Sequence, residues 1–112
     1  MSRELYYNYA FNFRRITKAG SRETLILPEQ YRLTGIAGKT RFPANVVLTV
    51  NEKCLFDGPS TALGVSEGGE HFTLAVPVQL AKNDHISLTL TTVKPSRLWN
   101  RGQIILAGHL AA

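Results

Sequence analysis

The side chains able to do chemistry are few and scattered. His71, His85 and His109 lie at separations that fit no metal-ligand spacing, and Cys54 is the only cysteine, so no zinc-type ligand set assembles from the sequence. Each histidine reads as an ordinary residue at a strand start or near the chain end. Asp57 and Asp84 fall in turns, where an aspartate is explained by bonding its own backbone. Glu67 and Glu70 fall in a glycine-rich stretch, and nothing brings two of these carboxylates to one cleft as glycoside hydrolysis requires. Gly64-Val65-Ser66-Glu67-Gly68-Gly69 lacks the Lys-Ser/Thr of a phosphate loop and precedes a strand pattern where a helix N-terminus is needed. No serine sits in a nucleophile elbow. The expectation is a non-enzymatic protein with no metal and no cofactor. Cys54, within Lys53-Cys54-Leu55-Phe56, is expected to be a buried, inert thiol.

Two constellations suit binding instead. In the first, Tyr6, Tyr7, Tyr9, Phe11 and Phe13 run into Arg14 and Arg15, a mixture of aromatics and cations that holds single-stranded nucleic acid by stacking and phosphate neutralisation. The spacing is not that of an RNA-recognition strand, and the period of two makes Tyr7, Tyr9, Phe11 and Phe13 read first as one buried face. In the second, Arg97-Leu98-Trp99-Asn100-Arg101 places an indole between two arginines, the residue types that dominate interface hot spots. The competing structural role for Trp99 is a plug at the edge of the fold. The expected partner contacts are therefore Arg14, Arg15, Arg97, Trp99 and Arg101.

Charge points the same way. The net charge is +5, and residues 1–41 hold eight bases against three acids while the remainder is balanced. The N-terminal third is expected to face an anionic partner, a nucleic acid or an acidic protein surface. No segment has the ~18 unbroken apolar residues of a membrane helix, and the first residues show no signal-peptide core. The expected location is the cytoplasm in which the chain is made, with no membrane partner.

The elements that position these residues are strands. Leu5, Tyr7, Tyr9, Phe11 and Phe13 share one face of a first strand, because successive side chains on a strand point to opposite sides. Residues 24–27 form a short strand ended by Pro28, and 31–36 another that Gly35, Gly38 and Pro43 turn into a bulge and a loop. Residues 45–50 and 53–56 flank Asn51-Glu52 as a hairpin. Residues 64–70 read as an exposed loop, 71–76 and 78–80 as strands separated by a kink at Pro77, and 85–93 as a strand with one wet face. Lys94-Pro95-Ser96 breaks that strand, 97–102 is a loop, and 103–110 closes the chain. No helical period persists for three turns. About eight short strands with glycine and proline between them predict an all-β fold, an antiparallel β-sandwich of jelly-roll type. At 112 residues the chain is expected to form one domain over its full length, 1–112.

Residues 23–28 with 32–36, and then Val78-Gln79-Leu80-Ala81-Lys82-Asn83-Asp84-His85-Ile86-Ser87-Leu88, resemble the strand and Lys-x-Asp-x-Ile-Ser-Leu pattern of small jelly-roll modules of tailed-phage virions, capsid cement or decoration proteins and fibre domains among them. The resemblance implies a non-enzymatic structural protein, assembled in host cytoplasm and located in the virion. It would bind and stabilise the lattice of the major capsid protein, or another virion protein, as a homodimer or homotrimer. No site residue transfers with it, since fold-level likeness is only an associational warrant. A single-stranded nucleic-acid-binding small barrel, and a carbohydrate- or receptor-binding module built around Trp99, are the alternatives from other classes.

Overall fold

Alternation along the chain becomes eight antiparallel strands in the computed structural model, which describes residues 4–63, 72–93 and 99–111. They are β1 (Glu4–Ile16), β2 (Ser21–Ile26), β3 (Tyr31–Thr40), β4 (Ala44–Val50), β5 (Lys53–Pro59), β6 (Phe72–Leu80), β7 (His85–Thr92) and β8 (Asn100–Ala111), with a 3-10 turn at Ser60–Ala62. One sheet has the order β1-β8-β3-β6 and the other β2-β7-β4-β5. The pairs are concentric: first with last, second with seventh, third with sixth, fourth with fifth. This is the jelly-roll arrangement, a long hairpin rolled so that its two arms share both sheets.

Between the sheets lies one core. Phe11, Phe13 and Ile16 of β1, Leu33 and Ile36 of β3, and Ile104 and Leu106 of β8 meet Val46, Leu48 and Val50 of β4 and Ile86, Leu88 and Leu90 of β7. The period of two in β4 and β7 is what buries every second residue and leaves Thr49, Ser87 and Thr89 on the outer side.

The hairpin expected at Asn51-Glu52 is present. Both turn residues have positive φ, 49° and 70°, as a two-residue turn matched to strand twist requires. Other boundaries differ from expectation. β3 is continuous from Tyr31 to Thr40; Gly35 and Gly38 do not interrupt it, and the only irregularity is a register shift between Leu33 and Gly35. Pro77 does not split β6, because β6 is an edge strand whose irregular stretch, residues 74–77, lies opposite the single residue Thr34. β8 begins at Asn100, not at residue 103. Cys54 is exposed, not buried: between Leu48↔Phe56 and Thr49↔Cys54 the register slips by the extra residue Leu55, which breaks the alternation of edge strand β5. The inner face of β1 is also buried only in part. Phe11 and Phe13 are in the core, but Tyr7 is 46% and Leu5 56% exposed, since thirteen-residue β1 outruns six-residue β2. The expected loop at 64–70 and the break at 94–96 lie outside the described residues.

The sheet containing β1 is tied across its width by Tyr31. Its ring lies over Gly108 of β8, and its hydroxyl, fully buried from solvent with the rest of the side chain, has one hydrogen to donate and stands 2.6 Å from the Tyr7 carbonyl, the nearer acceptor, and 3.1 Å from the Leu106 carbonyl. Burial, then the neighbouring Tyr9, hold the Tyr31 phenol well above its ordinary pKa. A Cβ on residue 108 would stand 2.2 Å from the Arg32 carbonyl and 2.6 Å from the Tyr31 ring, so only glycine fits. At the same end of the fold, Asn51 links two turns: its N–H donates to the His85 carbonyl, its Oδ1 accepts from the His85 N–H, and its Nδ2 donates to Asp84. Asp84 also accepts from the Ala81 N–H at 2.8 Å.

Gly108→Ala is expected to lower unfolding free energy by about 3 kcal/mol, the upper part of the range for overpacking a closed site, with denaturant midpoints as the readout. Tyr31→Phe, which removes the hydroxyl shared by the Tyr7 and Leu106 carbonyls, should cost about 1 kcal/mol. The hydrogen bonds from Ala81 and then Asn51 lower the Asp84 pKa. Its contribution is therefore present above the ordinary aspartate pKa and lost as pH falls through the lowered one. Asp84→Asn is expected to flatten the stability profile in that acid range while leaving neutral-pH curves nearly parallel.

Candidate interaction surface

The end of the sandwich that carries the β1–β2, β3–β4 and β5–β6 connections is where the cationic residues collect. Its framework is a knot of buried polar groups. Asn100, 4% exposed, accepts the Phe42 N–H on Oδ1 (2.9 Å) and donates from Nδ2 to the Phe42 carbonyl (3.0 Å) and to Thr92 (3.4 Å). Thr40 spends its one hydroxyl hydrogen on the Phe42 carbonyl at 2.7 Å. The Ser60 hydroxyl, 2.9 Å away, therefore donates to Thr40 and accepts from the Ala44 N–H. Each buried polar side chain is thus paired, which is what makes its burial affordable.

On this framework the register of β1 against β8 places the arginines. Phe13 opposes Gly102 and Ile16 opposes Asn100, so Arg14 and Arg15 together face the single residue Arg101. That two-against-one step is a β-bulge, a device that re-aims side chains at the margin of a sheet. Phe13 and Ile16 anchor it in the core on either side. The Ser21 hydroxyl holds it from the next strand by donating to the Arg15 carbonyl at 2.7 Å while accepting from the Thr17 N–H. Arg15 emerges with its guanidinium 4.7 Å from the centre of the Trp99 ring, within cation–π range. The indole is 63% exposed; it does not plug the sandwich edge. Arg101 is fixed through its carbonyl, which accepts the Arg41 N–H at 2.8 Å, and Arg41 in turn lies over Phe42.

Four of the five expected contacts, Arg14, Arg15, Trp99 and Arg101, are therefore brought together; Arg97 lies outside the described residues. Lys18, Lys39 and Arg41 join them from the adjoining turn and strand end. Among the described residues of the connections at this end, 17–20, 41–43 and 60–63, there is no carboxylate, and no ion pair joins Arg14, Arg15 or Arg101 to a described acid. A shallow depression of about 210 Å³ lined by Lys39, Thr40, Arg41, Pro43 and Leu63 adjoins the cluster. Asn100 and Ser60 escaped the sequence reading, and Arg41 entered it only as one of the eight bases of residues 1–41. The one signal for Asn100 was a polar residue flanked by Trp99 and Arg101 at the mouth of an apolar strand.

The aromatic run of β1 is not a stacking platform continuous with Arg14 and Arg15. Phe11 and Phe13 are buried, and the exposed Tyr6 and Tyr7 point to opposite faces roughly 23–30 Å from the arginines along the strand. Tyr7, Tyr9 and Tyr31 instead form an edge-to-face series with centroids 4.9 Å apart, and Tyr6 packs edge-on to His109. His85 borders an open groove of about 640 Å³ on the outer side of the second sheet with Arg22, Thr49, Asn51, Glu52 and Ser87. No group of three metal-ligating side chains occurs among the described residues, and His71 lies outside them.

No protein-family model matches the chain, and no curated protein matches it. Among solved structures the chain is similar to the crystal structure of dimeric latent PorU from Porphyromonas gingivalis, at 11% identity and a TM-score of 0.37, over 95% of this chain and 13% of that one.

Trp99 is the only tryptophan, so its fluorescence reports on this end alone. Arg15→Ala is expected to raise collisional quenching of that fluorescence by acrylamide while changing stability by no more than about 1 kcal/mol, the scale of an exposed cation–π pair.

Proposed function

We propose that the chain is a non-enzymatic structural protein of a virion, a capsid cement or decoration protein, which docks its Arg14, Arg15, Trp99 and Arg101 end on an acidic surface of the major capsid protein or a neighbouring virion protein. The observation that carries this reading is the convergence of three arginines and an exposed indole around the β1 bulge and the facing start of β8, with no described carboxylate to neutralise them. Such a cluster is desolvated with profit only against an anionic partner. Trp and Arg held in place by a packed scaffold lose little conformational freedom on docking, which is the usual make-up of interface hot spots. The jelly roll supports the reading by analogy, being a common architecture of viral capsid and lectin domains.

Single-stranded nucleic acid is the second reading, because the same guanidinia and indole fit phosphates and bases. The two separate by partner and by salt. Co-sedimentation with assembled cognate shells is expected for the wild-type chain, and Trp99→Ala or Arg101→Ala should weaken it about 30-fold, as loss of a hot-spot side chain does. Folded variants that co-sediment like wild type would overturn the site. Binding confined to an oligonucleotide, with affinity falling steeply and log-linearly in salt, would replace the lattice by nucleic acid as partner.

A further inference from the structure

Four strands stand at the margins of the two sheets: β1 and β6 in one, β2 and β5 in the other. Unpaired backbone groups along an edge recruit a foreign strand unless the edge is short, charged, bulged or broken by proline. Three of the four carry such a device. β6 has Pro77 and its mismatched stretch; β5 has the slip at Leu55, charges at Lys53 and Asp57, and a terminal proline; β2 is six residues long with Arg22 and Glu23 side by side. β1 has none. Its thirteen residues contain no proline or glycine, and no charge lies between Glu4 and Arg14.

Two hydrogen bonds show which backbone groups of β1 are free. The Tyr31 hydroxyl, placed over Gly108, reaches the Tyr7 carbonyl, so that carbonyl is turned toward β8. The Arg101 carbonyl is turned the other way, to Arg41 beyond β3, which leaves the even-numbered residues of β8 facing β1. By alternation, Tyr7, Tyr9 and Phe11 bond to β8, while Tyr6, Asn8, Ala10 and Asn12 present N–H and C=O to the open side.

We propose that β1 pairs antiparallel with β1 of a second copy of this chain about a two-fold axis through Ala10, joining two four-stranded sheets into one. A second copy is the occupant because the edge is complementary to itself, as an isologous contact requires. Ala10 meets Ala10 at the axis, where the smallest side chain is needed. Asn8 meets Asn12 on the outer face; the Asn12 Oδ1 is already taken by the Gln103 amide at 3.0 Å, leaving its own amide hydrogens for Asn8 of the second copy. Tyr6 meets the cationic Arg14. On the inner face, the Tyr7 side chain that β2 is too short to cover falls beside Phe13 of the second copy. This pairing is independent of what the basic end binds.

Sedimentation velocity of the full chain over a wide concentration range is the test, with a species of twice the 12.4 kDa chain mass expected. Ala10→Pro removes only an outward N–H and should keep the circular-dichroism spectrum while weakening self-association at least about tenfold. Asn8→Cys and Asn12→Cys, each on a Cys54→Ser background, should form a disulfide with one another when mixed and oxidised, and none within either variant alone; the ~5.5 Å Cα spacing of such a pair suits the bond. The cysteine pair decides the matter if Ala10→Pro does not fold. A monomer throughout, a trimer, or a dimer that neither variant set touches overturns the proposal.

Discussion

Everything in this fold leans on β8, the strand that the chain makes last and that must lie between β1 and β3. A jelly roll is a set of nested pairs, so only the innermost, β4 with β5, is closed by a local turn, and each pair outside it closes a longer loop. The Asn51-Glu52 hairpin is the cheapest contact to form; β1 with β8 is the dearest. A topology so dominated by non-local pairing folds slowly for its size. It also explains the severity of the packing along β8. Gly102 and Gly108 meet backbone of β3 at distances no Cβ tolerates, and Tyr31 crosses β8 to hold β1. The last strand is locked on both sides by contacts that exist only when the whole roll is closed.

That locking is what gives the basic end its rigidity. Arg14 and Arg15 belong to β1, Trp99 and Arg101 to the mouth of β8, and Arg41 to the turn after β3; they share a surface only because three strands are in register. Asn100 and Ser60 then secure the turn that carries Arg41 and Phe42 with hydrogen bonds shielded from water, where each bond is stronger and its loss more costly. The exposed cations are thereby held by buried neutral groups. Like charges packed at one end repel in the free protein, so the arrangement stores unfavourable energy that an anionic partner relieves.

Much of this architecture was legible in the residues. The period of two exposed β1, β4 and β7, and Asn51-Glu52 marked its hairpin, because local chemistry decides those features. Residue type also flagged Trp99 and the arginines, but not that Arg15 would lie over the indole, since that contact depends on a register between strands at opposite ends of the chain. Cys54 was misread for a related reason: a single inserted residue in β5 reverses the face of everything before it, and no propensity announces a slip. Tyr7 and Leu5 were misjudged because alternation says which way a side chain points and not whether the opposite sheet extends far enough to cover it. The continuity of β3 through Gly35 and Gly38 was hidden as well, because Gly38 answers to the close Ile104 side chain and Gln103 carbonyl, not to a turn.

The two surfaces reinforce one another if β1 pairs across a dyad. The axis of such a dimer stands perpendicular to the joined sheet, so both outer faces look the same way. Arg14 and Arg101 lie on that face, about four residues from the axis, which puts the two clusters roughly 30 Å apart on one side of the dimer. A rigid spacing of that kind suits a partner that is itself repeated. Once one cluster is seated, the other is held at high local concentration over the next acidic patch, and modest single-site affinity becomes strong attachment without any new contact. On an isolated partner molecule the second cluster has nothing to meet. In such a dimer the match to a periodic surface would come from the spacing set by β1, not from the chemistry of the arginines alone.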